Sequence, residues 1–245
     1  MKLSFVIPAH NEEHYLGKCL DSIFRELEGK NYDTEIIVVN NASTDGTEKL
    51  ARSYPGVIVI NEIEKGIVKA RLAGLNASTG ELIANIDSDS ILTPGWVEKV
   101  LYEFNAHKNL VALSGPFIYY DIPKKYNKYV RLFYSAGYLS HLINRAFKIG
   151  AMLQGGNFVI KKSAIMKAGG YNTNLSFYGE DTDIAVRLVK QGLVKFTFKL
   201  PMYTSGRRLV HEGGWTMVFK YALNHIWITF LGKPFSKEYL DIRKK

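Results

Sequence analysis

Short apolar runs alternate with helix-like stretches over the first hundred residues of the chain. The runs LSFVIPA, EIIVVNN, VIVINE and ELIANID are continuous rather than alternating, which is typical of strands covered on both faces. Between them lie EEHYLGKCLDSIFREL, TDGTEKLARSY and GIVKARLAGLNAST, which favour helices. This β-α-β-α-β-α-β order predicts an α/β protein with a parallel, doubly wound sheet and right-handed crossovers.

The pattern continues beyond residue 93 with less regularity. GWVEKVLYEFNAH reads as a helix opened by Thr93-Pro94, and VALSGPFIYY reads as one strand. Segment 126–149 predicts a helix with an aromatic stripe packed against the core, made of Tyr126, Tyr129, Val130, Phe133 and Tyr138.

Segment 215–232, WTMVFKYALNHIWITFLG, is aromatic and apolar, but Lys220, Asn224 and His225 interrupt it. It is therefore expected to lie at a membrane interface or to pack on the domain rather than to span a bilayer. The chain has no internal repeat, low-complexity tract or linker. We expect one domain over 1–205 and a basic, aromatic helical extension over 206–245.

Composition allows a full core and limits the cysteine chemistry. The chain has 245 residues, of which 47% are apolar, and a domain of that size is common among α/β folds. Its single cysteine, Cys19, falls on the apolar stripe of the first helix, so we expect a buried core thiol and no intrachain disulfide. The start, MKLSFVIPAHNEE, is too short in apolar residues for a secretory signal, which predicts a cytoplasmic protein.

The net charge of +9 is local rather than general. Segment 117–150 has six Lys and Arg against one Asp, and segment 206–245 has eight against three acidic residues. A basic surface of this kind attracts a polyanion or an anionic membrane. The alternative is two ordinary packing helices with solvated basic faces.

Four polar clusters fall where the predicted strands end: PAHNE, NNASTDGT, NEIEKG and DSDS. Ligands of open α/β sheets bind outside the carboxyl ends of the strands. There is no GxGxxG after the first strand and no GxxxxGK[ST], so phosphates would be held by a metal or by side chains. Asp87 and Asp89 have the oxygen ligands that Mg²⁺ or Mn²⁺ takes, although DSDS alone could be a helix N-cap with a solvated neighbour.

Five ordered motifs extend this argument over residues 3–200. They are FVIPAHNEE, IIVVNNASTDGT, KGIVKARLAGLNASTGELIANIDSDS, GGNFVIKKSAIMKAGGYN and FYGEDTDIAVRLVKQG. Together they resemble the family 2 glycosyltransferases of the GT-A fold, which implies a Rossmann-like, mostly parallel sheet flanked by helices. The resemblance implies transfer of a sugar from a nucleotide diphosphate donor to an acceptor hydroxyl, usually with inversion. It also implies a DxD-type motif that binds a divalent metal, Mg²⁺ or Mn²⁺.

The resemblance also implies roles for the nucleotide side of the site, carried over position by position. The base and ribose pocket would be lined by Pro8, Ala9 and Glu12, with Asn41 at the base. Arg71 would lie near the base or the diphosphate. Asp87, followed by Ser88, would reach the ribose or the metal, and Asp89 would be the main metal ligand.

On the sugar side, the resemblance assigns the donor-sugar pocket to Gly155, Gly156 and Asn157. Asp181 matches the catalytic base, and Glu180 would contact the acceptor or the sugar. A carboxylate in that place can take the proton of an acceptor hydroxyl as the new bond forms. Without the motif order, Glu180, Asp181 and Asp183 would be no more than the polar start of a helix.

The sequence departs from the family at two places. Most relatives have Asp where this chain has Asn40 and Asn41, and an amide leaves the identity of the base open. Many relatives also have a metal-binding His near the position of Arg207. Either His211 is reached by a shifted loop, or Arg207 and Arg208 neutralise the diphosphate directly, and the arginines are the preferred interpretation.

Two other activities stay open as alternatives. A nucleotidyltransferase also uses a parallel sheet and a carboxylate pair, but it needs a Gly- and Arg-rich phosphate loop that PAHNEE does not supply. A basic nucleic-acid-binding protein would exploit the charge, although we expect no nucleic-acid partner.

The acceptor expected here is a lipid-linked or cell-envelope glycan, reached at the inner face of the membrane. Asp45 in STDGT is expected to bond local amides in a turn.

Overall fold

The computed structural model describes residues 1–175 and 178–236, apart from the side chains at positions 124, 125, 127–129, 136, 214, 215, 217 and 218. The N-terminal half follows the predicted alternation. Its elements are β1 (Leu3–Ala9), α1 (Leu16–Leu27), β2 (Thr34–Asn41), α2 (Thr47–Arg52), β3 (Val57–Glu62), α3 (Ile67–Ala77) and β4 (Leu82–Ile86).

The second half is less regular. Its elements are β5 (Ser90–Leu92), α4 (Trp96–Ala106), β6 (Leu110–Ser114), β7 (Phe117–Tyr119), α5 (Lys124–Ala146), β8 (Asn157–Lys161), α6 (Lys162–Lys167), α7 (Glu180–Leu188), β9 (Leu193–Phe196), β10 (Met202–Thr204), α8 (Arg207–Glu212) and α9 (Gly214–Leu231). The predicted extension thus contains α8 and α9, and residues 237–245 of it lie outside the described residues.

The main sheet has the strand order β3-β2-β1-β4-β8-β6-β9. All neighbouring pairs are parallel except those of β8, which runs antiparallel to β4 and β6. The prediction of a mostly parallel sheet flanked by helices is confirmed, and the reversed strand was not predicted. Because Asn157 at the start of β8 pairs with Ile86 at the end of β4, the loop before β8 reaches the carboxyl edge of the sheet.

Apolar side chains leave the sheet on both faces, which explains the continuous apolar runs. Phe5 points into the core on the side of α1 and α4, and its neighbour Val6 points into the core on the side of α3 and α7. Cys19 is fully buried in the first core, as predicted, and burial raises the pKa of its thiol well above the ordinary range. The two-sided cover fixes the position of the strand ends that form the site.

The prediction of a single strand over VALSGPFIYY is wrong, because Gly115 and Pro116 interrupt it and separate β6 from β7. A β-carbon at Gly115 would lie 2.6 Å from the carbonyl carbon of Leu200, and Pro116 has no N–H for a strand ladder. β7 instead joins a small second sheet of order β5-β10-β7. This sheet lies beside the turn that follows β4.

The aromatic stripe predicted for α5 contacts the core only in part: the Tyr138 ring lies 6.4 Å from the ring of buried Phe196, centre to centre. Tyr126 and Phe133 are exposed, and the side chain of Tyr129 lies outside the described residues. Among the described side chains of this helix, Tyr134 and His141 are buried, and they lie on the same face as Tyr138. The aromatic spacing predicted a helix correctly, but several of the rings are exposed.

α9 packs against α7 in the described part of the chain. A β-carbon at Gly179, the residue before α7, would lie 3.1 Å from Cγ1 of Ile228 and nearer still to its Cδ1. His225 Nδ1 and Thr182 Oγ1 are 3.3 Å apart. Among the described residues, no helix combines the length and apolar character needed to cross a bilayer.

Candidate active site

The loops that follow β1, β2 and β4 meet at the carboxyl edge of the main sheet, where the loop before β8 joins them. The strand of LIANIDSDSIL ends at Ile86, and residues 87–90 form a turn in which Ser90 N–H donates to the Asp87 carbonyl at 2.9 Å. The two carboxylates therefore do not share one face of an extended strand. Asp87 binds Arg71 at 3.0 Å, while Asp89 binds Arg207 at 3.0 Å.

Gly156 makes room for the Asp87 carboxylate. A β-carbon on Gly156 would lie 2.7 Å from Oδ1 of Asp87 and nearer still to Oδ2, and its φ of +82° favours glycine. The Asp87 amide also donates to the Gly156 carbonyl at 3.3 Å. The predicted donor-sugar glycine is therefore packed directly against the predicted ribose or metal aspartate.

Arg71 is an internal cation rather than an exposed one. It belongs to α3 and is 1% exposed. Its side chain pairs with Asp87 and with Glu180 at the start of α7. Its guanidinium carbon also lies 5.3 Å from the centre of the Phe158 ring. The structure thus places Arg71 between two of the predicted site carboxylates, and contact with a base or diphosphate stays a prediction.

Glu180 is buried beside this arginine. Burial raises the pKa of Glu180 from its ordinary 4.5 to about 7, while the nearby charge of Arg71 works in the opposite direction. Its Oε1 contacts Arg71, and its Oε2 has no hydrogen-bond partner among the described residues. An acid with such a pKa, next to the predicted base, is typical of functional sites.

Asp181 is held by two backbone amides. Its Oδ2 accepts from Gly155 N–H at 3.0 Å, and its Oδ1 accepts from Thr182 N–H at 2.7 Å. The carboxylate lies at the amino end of α7, where the helix dipole stabilises negative charge. These contacts hold the carboxylate in one orientation, which is what a general base requires.

Arg207 joins the C-terminal segment to two of the predicted nucleotide residues. Its Nη2 lies 2.6 Å from Oε1 of Glu12 and 3.0 Å from Oδ2 of Asp89, and its guanidinium carbon lies 4.3 Å from the centre of the Tyr15 ring. Thr204 Oγ1 donates to Oδ1 of Asp89 at 3.3 Å. The sequence reasoning missed Tyr15 and Thr204, since neither has a motif that singles it out.

The remaining nucleotide-side predictions fall on buried positions. Pro8, Ala9 and Ser88 are buried at the sheet edge. Asn41 is bonded to the loop after β3: its amide donates to the carbonyls of Glu62 and Glu64, and its oxygen accepts from Gly66 N–H at 2.7 Å. Its predicted contact with a base would have to form beside these bonds.

Asn157 and Asp45 have structural contacts. The Asn157 amide donates to the carbonyls of Gly115 and Leu200, and its oxygen accepts from Trp96 Nε1 at 3.1 Å. Asn157 is fully buried, so it would shape a sugar pocket through the backbone it holds. Asp45 accepts from the backbone amides of Glu13 and Thr47, which confirms its predicted role in the turn.

The structure does not gather His211 with Asp87 and Asp89. His211 is exposed on α8, and the described residues contain no group of three His, Cys, Asp or Glu side chains placed to hold a metal. Arg208 pairs with Glu212 at 2.7 Å on the same helix. Arg207 instead lies next to Asp89, and the expected contact of Arg207 and Arg208 with a diphosphate stays a prediction.

Comparison with known proteins adds to this geometry. A sequence model described as glycosyl transferase family 2 matches residues 4–169. Glycosyltransferase GlyA of Streptococcus pneumoniae serotype 4 is 34% identical over 112 residues, which are 43% of this chain and 16% of that protein. The glucosyl-dolichyl phosphate glucuronosyltransferase of Haloferax volcanii is 21% identical over 99% of this chain and 78% of that protein.

Among solved structures, the chain is similar to the mannosyltransferase PcManGT from Pyrobaculum calidifontis in complex with GDP-Man and Mn²⁺. The TM-score is 0.70 with 18% sequence identity, and the match covers 94% of this chain and 63% of that one. At this identity the likeness shows the fold, which is that of the GT-A glycosyltransferases, as predicted.

Proposed function

The chain belongs to glycosyl transferase family 2, and we propose that it transfers a sugar from a nucleotide diphosphate donor to an acceptor hydroxyl, with inversion. We further propose that Mg²⁺ or Mn²⁺ assists the transfer. The mannosyltransferase with a similar fold was solved with a nucleotide sugar and Mn²⁺.

One observation supports this proposal above the others. Two adjacent glycines of one loop contact the proposed metal ligand and the proposed base: Gly156 packs on Asp87, and Gly155 N–H donates to Asp181 at 3.0 Å. A donor diphosphate near Asp87 and an acceptor hydroxyl near Asp181 would therefore be brought to the same loop. Such convergence is what a displacement reaction between two bound substrates needs.

Asp181 is the proposed general base. Its carboxylate, held by the two backbone amides, would accept the proton of the acceptor hydroxyl while that oxygen bonds to the anomeric carbon. The bond from the anomeric carbon to the diphosphate breaks in the same step, so the nucleoside diphosphate leaves with the electron pair. Attack from the face opposite the leaving group inverts the anomeric centre.

The residues at the turn fit a divalent metal. One oxygen of Asp87 is held by Arg71, and the other faces the open side of Gly156, with no hydrogen bond to it from the described residues. Asp89 would be the second ligand, and its present partner Arg207 is a cation that a metal would displace or join. When bound, such a metal supplies positive charge to the leaving diphosphate.

Arg207 has a complementary part in this proposal. A guanidinium can bind phosphate oxygens as well as carboxylates, and this one already lies between Glu12 and Asp89. We propose that it turns toward the diphosphate of a bound donor. Nucleotidyl transfer gains no support from any contact in the described residues.

The proposed acceptor is a hydroxyl of a lipid-linked or cell-envelope glycan. The proposed location is the inner face of the membrane, because anionic lipids there attract the basic segments 117–150 and 206–245. No nucleic-acid partner is proposed.

A thermal-shift panel tests the donor side directly. UDP-, GDP- and dTDP-sugars are added with and without Mn²⁺ to the wild type and to Asp89→Ala. The proposal predicts that one donor raises the melting temperature of the wild type more when Mn²⁺ is present, since selective binding stabilises the fold. It predicts loss of the Mn²⁺-dependent part in Asp89→Ala. If no nucleotide sugar shifts the wild type, the proposed function is wrong.

A further inference from the structure

Two helices expose apolar side chains close to the place where they approach each other. The two helices are α5 and α9. Gly150, just after α5, lies close to both α9 and α7: a β-carbon on it would be 3.4 Å from Thr229 of α9 and 3.6 Å from Val186 of α7. The residues around this approach point to solvent. We call them the α5–α9 face: Ile143, Phe147, Ile149, Ile226, Phe230, Leu231 and Phe235, each between 38% and 74% exposed.

The spacing of these residues makes a surface rather than scattered exposure. Ile143 and Phe147 are four apart on and just beyond α5, and Ile226 and Phe230 are four apart on α9, so each pair lies on one side. Exposed apolar side chains occur singly on most proteins, but a set that includes several aromatic rings on neighbouring helices marks an interaction surface.

The charge around the face indicates what it binds. Segments 122–153 and 213–236 contain eight Lys and Arg and no Asp or Glu. Lys148 and Lys233 are exposed and lie within three residues of Phe147 and Phe230, respectively. A second copy of the chain would bring like charges together, whereas an anionic lipid surface would neutralise them.

We propose that the α5–α9 face docks on an anionic lipid bilayer, with its apolar side chains in the interface and Lys148 and Lys233 against the head groups. Apolar residues beside basic ones are typical of interfacial binding when polar residues interrupt the helix and keep it from spanning a bilayer. Aromatic side chains such as those of Phe147 and Phe230 suit the boundary between head groups and acyl chains.

The docked face is connected to the candidate base. The opposite side of α9 packs on α7 through Ile228, which fills the space left by Gly179, two residues before Asp181. The bilayer would therefore lie behind the helix that carries Asp181. In a step that rests on the proposed function, this geometry favours an acceptor that is itself anchored in the lipid.

Vesicle co-sedimentation of the full chain tests the proposal. The probes are vesicles of phosphatidylcholine, with and without phosphatidylglycerol, at low salt and without nucleotide sugar. The wild type should bind the anionic vesicles, and Phe147→Glu combined with Phe230→Glu should weaken that binding by more than about tenfold, because two charges enter the interface. Tyr102→Glu is the matched control: Tyr102 is 61% exposed on α4, across the main sheet from α7, and should leave binding unchanged.

A labelling experiment covers the case in which the double variant does not fold. Cys19 is the only native cysteine and is fully buried, so a thiol-reactive, polarity-sensitive fluorophore should label Phe230→Cys selectively. Its emission should shift to the blue with anionic vesicles, and the same label on Tyr102→Cys should not shift.

Three results would overturn the docking proposal. They are no preference of the wild type for anionic vesicles, unchanged binding by the double Glu variant, and a dimer in sedimentation that the double variant dissociates. The last would show that a second copy covers the face. Hydrolysis of a donor sugar, measured without vesicles, separates this failure from failure of the proposed function.

Discussion

Gly156 and Asp87 are matched in shape: the side chain that Gly156 lacks would occupy the space of the Asp87 carboxylate. The two residues lie 69 positions apart in sequence, and the antiparallel β8 brings them together. This contact makes the glycine loop part of the candidate donor site rather than a simple connection.

Gly156→Ala should therefore have a larger effect than the strain of its backbone conformation alone would produce. Both Gly156 and Gly169 have positive φ, of +82° and +88°, but a β-carbon on Gly169 would meet nothing within 4 Å. Gly169→Ala should lose about 1 kcal/mol of stability and keep nucleotide binding. Gly156→Ala should also lose Mn²⁺-dependent nucleotide binding by about tenfold or more, which is about 1.4 kcal/mol. Equal effects of the two variants on calorimetric affinity would count against the contact.

Arg71 should contribute to stability as well as to the site. Arg71→Met would leave Glu180 and Asp87 without their shared cation, and breaking a buried pair in this way costs about 3–5 kcal/mol. Arg52→Met, which breaks an exposed pair with Glu48, should cost about 0–1 kcal/mol. Urea unfolding measures both. A similar small loss for the two variants would show that the Arg71 pairs contribute little.

Arg207 should compete with a divalent metal for Asp89. Arg207→Gln removes a cation that lies 3.0 Å from Oδ2 of Asp89, so Mn²⁺ alone should bind more tightly, by about tenfold or more, because two unit charges about 4 Å apart interact by about 1 kcal/mol even in water. Nucleoside diphosphate without metal should bind more weakly, since a phosphate partner is lost. Arg208→Gln, whose side chain pairs with Glu212, is the control and should leave Mn²⁺ affinity unchanged. Weaker Mn²⁺ binding by Arg207→Gln would refute the competition.

His141 should make the fold sensitive to acid. Burial, with Arg145 nearby, lowers the pKa of His141 from 6.5 to about 4, and its Nδ1 accepts from Met152 N–H at 2.9 Å. The unfolded chain takes up this proton first as pH falls, so the stability contributed by neutral His141 is present above pH 6.5 and is lost as pH falls toward 4.

The free energy of unfolding can change by up to about 1.4 kcal/mol per pH unit for one proton. Glu180 acts in the opposite direction, because its raised pKa favours the native state at lower pH. Unfolding of the wild type and of His141→Gln between pH 7.5 and pH 4.5, a range of about three units in which the imidazole of an unfolded chain gains its proton, isolates the histidine as their difference. A constant difference across that range would contradict the assignment.

Much of the fold could be predicted from local pattern. The alternation of apolar runs and helical stretches up to Ile86 reflects local packing needs, and the sheet order near β1 follows from short crossovers. β8 could not be predicted in this way, since its direction depends on the long excursion through α5. The break at Gly115 depends on the backbone of Leu200, which is distant in sequence.

The candidate site divides in the same manner. Motif order made Asp87, Asp89 and Asp181 candidates for the site, but it could not predict the residues that they contact. The expected contact of Arg71 with a base or diphosphate stays a prediction, and its buried pair with Glu180 could not be predicted, because charge pairing in the interior depends on three-dimensional proximity. Tyr15 beneath Arg207 has no sequence signal at all.

Asp181 is the proposed base of a sugar transfer whose donor is bound by other residues. The most direct test compares Asp181→Asn with the wild type in two assays, donor binding and donor turnover, using the nucleotide sugar that stabilises the wild type. The variant keeps the volume and one amide acceptor of Asp181 but has no basic carboxylate. Asp183→Asn, which affects only the pair with Arg187 at 2.5 Å, is the control.

Asp181→Asn should bind the donor as the wild type does. Its turnover, with water or a true acceptor as nucleophile, should fall by about 10²–10⁴-fold, the usual contribution of a positioned base. Turnover by Asp181→Asn equal to that of the wild type and of Asp183→Asn, with donor binding intact, would contradict the claim.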